Sequence, residues 1–400
     1  MRRLGLTMAA LSIVCLGVLS SSAATGAVST SSWSQPQGDA AHSNRNNAET
    51  TITAATVAGL AVRYSVGRLP DYSVCGRAHP HAAVATASRL YVFDGRRVVA
   101  TDLATGQQLW RGADLGGTTG FQATDLAVSG SRVVVQGSGG CLSQSDPGLS
   151  LVGLDAATGA TVWSVQRGGY NRSMVVSGTT VVSDNDDISG VPSVVAYDLT
   201  TGAQRWVRSG CVSSGFGPDA GLFASDDNIL TTCGALSFAR RGATSWSKPA
   251  GWSYLRADPS GTVSPNIYAR NPAGRITALS PTGAVRWTSA EAGPLLAAGP
   301  VRLLVGCGAT NVCALNRATG ARVWTSARSV APTGAVLAAD LAYVTPAEAP
   351  LVAATGRPVP GADSDFLSPY GFLADGAVEV AGGRLVNVTR RAVDVYALTP

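Results

Sequence analysis

The stretch Ala196-Tyr197-Asp198-Leu199-Thr200-Thr201-Gly202-Ala203-Gln204-Arg205-Trp206 decides the fold, because its phrase recurs along the chain. The copies are Asp102 through Thr105-Gly106 to Trp110, Asp155 through Thr158-Gly159 to Trp163, and Asn316 through Thr319-Gly320 to Trp324. Thr282-Gly283 to Trp287 and a worn Gly242 to Trp246 keep the same four-residue step from glycine to tryptophan. A further Thr355-Gly356 carries Pro360 where the tryptophan would stand. Between markers lie short Val-, Ala-, Leu- and Thr-rich runs, such as 132–136 and 179–182, punctuated by Gly, Asn, Asp and Pro. Such runs read as closely spaced antiparallel strands. A spacing of about 40 residues holds four strands and their turns, which is one propeller blade. Glycine supplies the positive φ of a tight hairpin. The tryptophan that follows has the area to glue one blade to the next, a structural role assigned to Trp110, Trp163, Trp206, Trp246, Trp287 and Trp324.

Composition agrees with an all-β chain. Gly 47 and Pro 20 are abundant, hydrophobic residues make up 45%, and charged residues only 14%, against an ordinary share of about 25%. Disorder is excluded by that hydrophobicity, and a helical bundle by the wealth of turn formers. A formal charge of +5 with no basic run argues against a nucleic-acid partner.

The phrase resembles the tryptophan-docking repeat of the quinoprotein-like, or PQQ-repeat, β-propellers, which reads Ala-x-Asp-x-x-Thr-Gly-x-x-x-Trp. Ala196, Asp198, Thr201, Gly202 and Trp206 match every fixed position, and Ala314, Thr319, Gly320 and Trp324 match with Asn316 in place of the acid. Trp33, Gln35, Gly38, Asp39 and His42 resemble the leader that precedes many such propellers. The expectation is an all-β, eight-bladed β-propeller of four-stranded antiparallel blades, closed by N- and C-terminal strands. The sequence 393–398 would be a third strand and 60–66 the fourth that completes it. Residues 1–27 read as a signal peptide, 28–56 as a leader and 57–400 as the propeller. Arg2 and Arg3, the apolar 4–19 and small residues up to Ala27 form the export signal, so a secreted or extracytoplasmic location is expected, with no membrane span after cleavage.

Fold does not dictate chemistry. The resemblance covers dehydrogenases that hold pyrroloquinoline quinone with calcium, cofactor-free scaffolds of outer-membrane protein assembly, and sensor domains. Quinone enzymes of the family commonly carry an adjacent cysteine pair and long insertions, and this sequence has neither. The cofactor-free scaffolds are therefore the nearer model. No catalytic residue, cofactor ligand or metal ligand is assigned; no organic cofactor is expected, and calcium is the one ion left open. The preferred reading is a non-enzymatic scaffold that binds a protein, peptide or cell-envelope glycan, as a monomer or within a complex. The alternative is a PQQ/calcium-dependent oxidoreductase.

Six cysteines remain beyond Cys15, and an even number in an exported chain reads as disulfides. The proposed pairs are Cys307–Cys313 across one hairpin, Cys211–Cys233 within a blade and Cys75–Cys141 between neighbours. In a four-stranded blade the inter-blade loops and the second-to-third turns open on one face. All six cysteines map there, together with His79, His81, Asp184, Asp186 and Asp187, which form the candidate binding face. His79 and His81 lack a defined third metal ligand. The run Asp184-Asn185-Asp186-Asp187 offers the oxygens that calcium takes, without the glycine and distal Glu of an EF-hand.

Overall fold

The computed structural model describes residues 31–46, 48–68, 83–115, 122–138, 149–166, 170–186, 193–209, 223–225, 228–232, 236–240, 243–258, 265–345, 348–362, 377–389 and 391–399. Residues 1–27, read above as a signal peptide, and Cys75, Cys141, Cys211, Cys233, His79, His81 and Asp187 lie outside them. Among the described residues no helix is long and apolar enough to cross a membrane.

The chain forms a ring of sheets whose inner strands follow one another in chain order, the last returning to the first. Blades 1 to 6 begin with the inner strands Ala83–Ala85, Gln122–Ser129, Tyr170–Ser177, Phe223–Ser225, Ser253–Ala257 and Leu295–Ala298, and each is a four-stranded antiparallel meander. Blade 7 contains Ala377–Ala381, Arg384–Val388 and Ala392–Leu398, and its outer strand is Leu60–Gly67 from the N-terminal side. Leu60 pairs with Leu398 and Gly67 with Ala392, so the two ends of the propeller are zipped into one sheet.

The expectation of eight four-stranded antiparallel blades is corrected to seven. The remaining sheet, between blades 6 and 7, has three antiparallel strands, Gly334–Ala338, Leu341–Thr345 and Leu351–Val352. Its fourth member is Arg45–Asn46, a leader strand lying parallel on the inner edge rather than antiparallel on the outer one. The reason lies in Pro358 and Pro360. Proline has no N–H for a ladder, and an isolated bridge between Leu351 and Pro358 is all that stands where an outer strand would run.

The repeat phrase builds the joints between sheets. Asp102 Oδ1 accepts the backbone N–H groups of Ala104 and Thr105 and the Thr105 hydroxyl, at 2.9–3.0 Å. Asp155 and Asp198 make the same three bonds in their turns. The turn presents a bare glycine at positive φ, 75° at Gly106 and 71° at Gly202. On that glycine lies an aromatic ring from the preceding blade. Trp110 covers Gly159, Trp163 covers Gly202, Trp246 covers Gly283, Trp287 covers Gly320 and Trp324 covers Gly356. Each indole N–H donates to a backbone carbonyl of the same turn: Ala156, Leu199, Pro281, Arg317 and Ala353 respectively, at 2.8–3.1 Å.

Tyr64 performs this task for blade 7. Its ring covers Gly106 and its hydroxyl donates to the Leu103 carbonyl at 3.0 Å. Trp206 departs from the set: its indole N–H is buried with no hydrogen-bond partner among the described residues, and the sequence before Gly242 lacks the Asp-x-x-Thr framework.

Urea unfolding tests the docking. Trp287→Ala is expected to cost about 3–5 kcal/mol. Trp206→Ala is expected to cost less, because no buried hydrogen bond is lost with it. Gly320→Ala is expected to destabilise as well, since the added Cβ would enter the Trp287 ring at a φ of 71°.

Candidate functional site

The ring has two unlike faces, and the leader makes them so. Residues 31–46 run around the ends of the inner strands on one face. Trp33 exchanges backbone bonds with Ala85 of blade 1, at 2.7 and 2.9 Å, and the Ser34 carbonyl accepts from Val128 of blade 2. The Gln35 side chain imitates a strand, donating to the Val176 carbonyl and accepting its N–H in blade 3, both at 2.9 Å. The carbonyls of Ala41 and Ser43 accept from Ala257 of blade 5 and Ala298 of blade 6. Asn44 then receives Leu337 of the mixed sheet, and the Asn46 amide reaches the Val380 carbonyl of blade 7 at 2.6 Å. Ser31 closes the circuit on Gly382, at the hairpin that follows the inner strand of blade 7. These bonds satisfy inner-strand groups that a propeller otherwise turns toward its channel.

A tight loop carries the leader from blade 3, bonded by Gln35, to blade 5, bonded by Ala41. Gln37, His42 and Asn44 adopt φ values of 60°, 52° and 52°, and Gly38 of 92°. Asp39 holds this loop, Oδ1 accepting from Ala41 and Ser43 at 3.0 Å and Oδ2 from the Ser43 hydroxyl at 2.7 Å. Burial pushes the Asp39 carboxyl up, against the pull of its hydrogen bonds and of Arg256. Blade 5 supplies the anchor: Arg256 donates to the Leu295 carbonyl, to Gln37 Oε1 and to the His42 carbonyl.

The opposite face carries the starts of the inner strands and the second-to-third turns. There Cys307, ending Arg302–Cys307, is bonded to Cys313 in Asn311–Asn316, with the Cα atoms 5.8 Å apart. The Glu291 carboxylate and both sulfurs lie within 4.8 Å of one another. Of the acidic run, Asp184 is not at the surface. It is fully buried in the second strand of blade 3, paired with Ser173 and Val194. Its neighbour Ser183 bonds to Gln136 of blade 2, so Asp184 occupies the face toward blade 4. The backbone of Asp186 continues that strand, opposite Tyr170.

Among the buried acids that escaped notice in the sequence, Asp125 and Glu379 have carboxyls that burial pushes up. Asp125, in Gln122–Ser129, accepts the Met174 N–H across the seam between blades 2 and 3 at 3.1 Å, and burial pushes its carboxyl up to about 7. Glu379, in Ala377–Ala381, is 1% exposed, its Oε2 has no hydrogen-bond partner among the described residues, and burial holds its carboxyl well above the ordinary range. For Glu379 the available signal was an acid inside the otherwise apolar strand Ala377–Ala381.

With that geometry, comparison becomes informative. A family model described as outer membrane protein assembly factor BamB matches residues 19–219 and 234–357. The chain therefore belongs to this family of PQQ-repeat β-propellers. No curated protein sequence matches it. Among solved structures, quinohemoprotein alcohol dehydrogenase from Comamonas testosteroni superposes with a TM-score of 0.63 at 14% identity, covering 92% of this chain and 80% of that one. BamB from Moraxella catarrhalis gives 0.53 at 18% identity, covering 84% and 97%. The computationally designed protein Ika8 gives 0.57 at 14% identity, covering 78% and 93%. At these identities the likeness is one of fold.

The buried acids predict a pH dependence. Both carboxyls hold protons more tightly folded than unfolded, so the stability they contribute is complete at low pH and is lost as pH rises through the folded value. For Asp125 the window runs from 3.8 to about 7, and for Glu379 it begins at 4.5 and extends well above it. The urea midpoint of the wild type is expected to fall across these windows. Asp125→Asn should flatten the acidic part and Glu379→Gln the alkaline part. Profiles parallel to the wild type would contradict the assignment.

Proposed function

We propose that this protein is a non-enzymatic, exported scaffold that takes a protein, peptide or cell-envelope glycan on the face opposite the leader. The observation that carries this reading is the leader's circuit, whose hydrogen bonds to the inner strands occupy one face of the ring. On a ring of paired strands, connections that are fixed before any partner arrives lose less entropy on binding. The Cys307–Cys313 bond holds one of those connections. Membership of a family named for an outer-membrane protein assembly factor supports protein partners within a complex, and the segment 1–27 supports an extracytoplasmic location.

Photo-crosslinkers placed on the two faces test the reading. A probe at Asn311 is expected to give partner adducts from cell-envelope extract, and one at Thr105, in a turn on the leader face, to give none. Adducts from Thr105 alone would overturn the assignment of the face. Titration of the oxidised protein with pyrroloquinoline quinone and calcium is expected to give no saturable change in heat or absorbance. Tight stoichiometric binding would overturn the non-enzymatic reading in favour of an oxidoreductase.

A further inference from the structure

Among the described residues, one cluster brings three metal-ligating atoms together: the Glu291 carboxylate and the Cys307 and Cys313 sulfurs lie within 4.8 Å of one another. The sulfurs come from one hairpin of blade 6 and face its seam with blade 5, where they share a core cluster with Tyr268, Ile276 and Trp287. Cys313 is fully buried and Cys307 nearly so. The carboxylate comes from a separate segment, the connection between the outer strand of blade 5, Val285–Thr288, and the inner strand of blade 6.

Bare backbone seats that connection on the cysteine hairpin. A Cβ at Gly293 would collide with the Gly306 carbonyl, and one at Gly306 would stand 2.9 Å from the Pro294 ring. The Gly306 N–H donates to the Pro294 carbonyl at 2.8 Å, and the Glu291 N–H to the Ser289 hydroxyl at 2.9 Å. Two further side chains steady the cluster. The Thr325 hydroxyl donates to Cys313 Sγ at 3.3 Å, the sulfur of a disulfide having no proton to give. Arg322 Nη1 lies 3.5 Å from Glu291 Oε1 and is itself exposed. A carboxylate adds nothing to a sulfur–sulfur bond, but beside two thiolates it makes a donor set for a borderline-soft divalent cation.

We propose that, once the Cys307–Cys313 bond is reduced, Glu291, Cys307 and Cys313 form a site for one zinc ion, so that disulfide and metal are alternative clamps on the same seam. Zn–S bonds of about 2.3 Å and a Zn–O bond of about 2.1 Å place tetrahedral ligand atoms roughly 3.6–3.8 Å apart. The cysteine Cα atoms, 5.8 Å apart, leave room for that separation. A dithiol reductant supplies two electrons and two protons: the sulfur–sulfur bond breaks, two thiols form, and the reductant leaves as its own disulfide. Zinc then displaces both thiol protons to solvent. Two thiolates and one carboxylate around the dication leave a single negative charge, which Arg322 offsets. Thr325 stays as the outer partner of a thiolate, and the fourth coordination position is left for water. The site goes beyond the partner-binding reading and does not depend on it.

Cobalt reports thiolate coordination by a charge-transfer band, and it tests the site in the full chain treated with a phosphine reductant. The reduced wild type is expected to show a saturable band at one equivalent, which zinc abolishes, and the oxidised protein to show none. Cys313→Ser should remove the band. Glu291→Gln should weaken binding at least about tenfold, the loss that even an outer partner brings, while Asp394→Asn in blade 7 should leave it unchanged. The proposal is overturned by a reduced wild type without a saturable band, by a band in the oxidised protein, or by one that Cys313→Ser leaves intact. Equal affinity in Glu291→Gln, or loss of native tryptophan fluorescence on reduction alone, overturns it too. If Cys313→Ser does not fold, Glu291→Gln decides. The crosslinking test of the two faces is run without reductant and stands or falls separately.

Discussion

An aromatic ring laid on a bare glycine is the contact on which the ring of sheets depends. Each sheet is an open meander that cannot bury both of its faces alone, and stacking on its neighbours is what completes a core. The docking ring sits near the outer edge of that stack, where the sheets diverge and side chains from the strands no longer meet. A glycine is required beneath it because any Cβ would stand in the ring's place; at Gly202 the added carbon would come within 2.8 Å of Trp163. The acid at the start of the turn matters for the same reason. By collecting three hydrogen bonds on one oxygen, Asp102, Asp155 and Asp198 fix the turn so that glycine, and nothing larger, faces the incoming aromatic. Those bonds hold the Asp198 carboxyl down at about 2, with Arg205 the largest contributor.

Stacking alone leaves a ring that could still spread. Two devices close it, and both come from the N-terminal side. Leu60–Gly67 completes the sheet begun by the C-terminal strands, and Tyr64 within it docks on blade 1. The leader then ties inner strands together on one face, spending backbone carbonyls and the Gln35, Asn44 and Asn46 side chains on groups that would otherwise face the channel. Closure and asymmetry thus have one cause. The segment that locks the ring also occupies one of its two faces.

What could be read from the sequence followed from how local each feature is. The repeat was legible because Asp-x-x-Thr-Gly and its tryptophan lie within a few residues of one another and recur with a steady period. The Cys307–Cys313 pair is local in the same sense, spanning one hairpin. Tyr64 was missed as a docking residue because tyrosine replaces tryptophan and no glycine stands four residues before it. The blade count failed at Pro358 and Pro360, which keep the Thr-Gly turn yet deny the outer strand its ladder. The sheet instead takes a partner from residues 45–46, a pairing across almost 300 residues that no period announces. Asp184 was taken for a surface oxygen because its acidic neighbours suggest a turn, whereas it is still within the strand. The leader's motif was recognisable, but its circuit was not, since every bond it makes is to a residue distant in sequence.

Native-state hydrogen exchange tests the central claim, that leader and ring are one cooperative unit. The amides of Val128, Val176, Ala257, Ala298 and Leu337 all donate to the leader. If the account holds, these amides exchange with one common opening free energy, equal to that of the core amides of the same blades and moving with it in denaturant. Exchange of the leader-bonded amides through a separate, lower-energy opening, with the blade cores still protected, would mean that the leader is an appendage on a ring already closed, and would contradict the account.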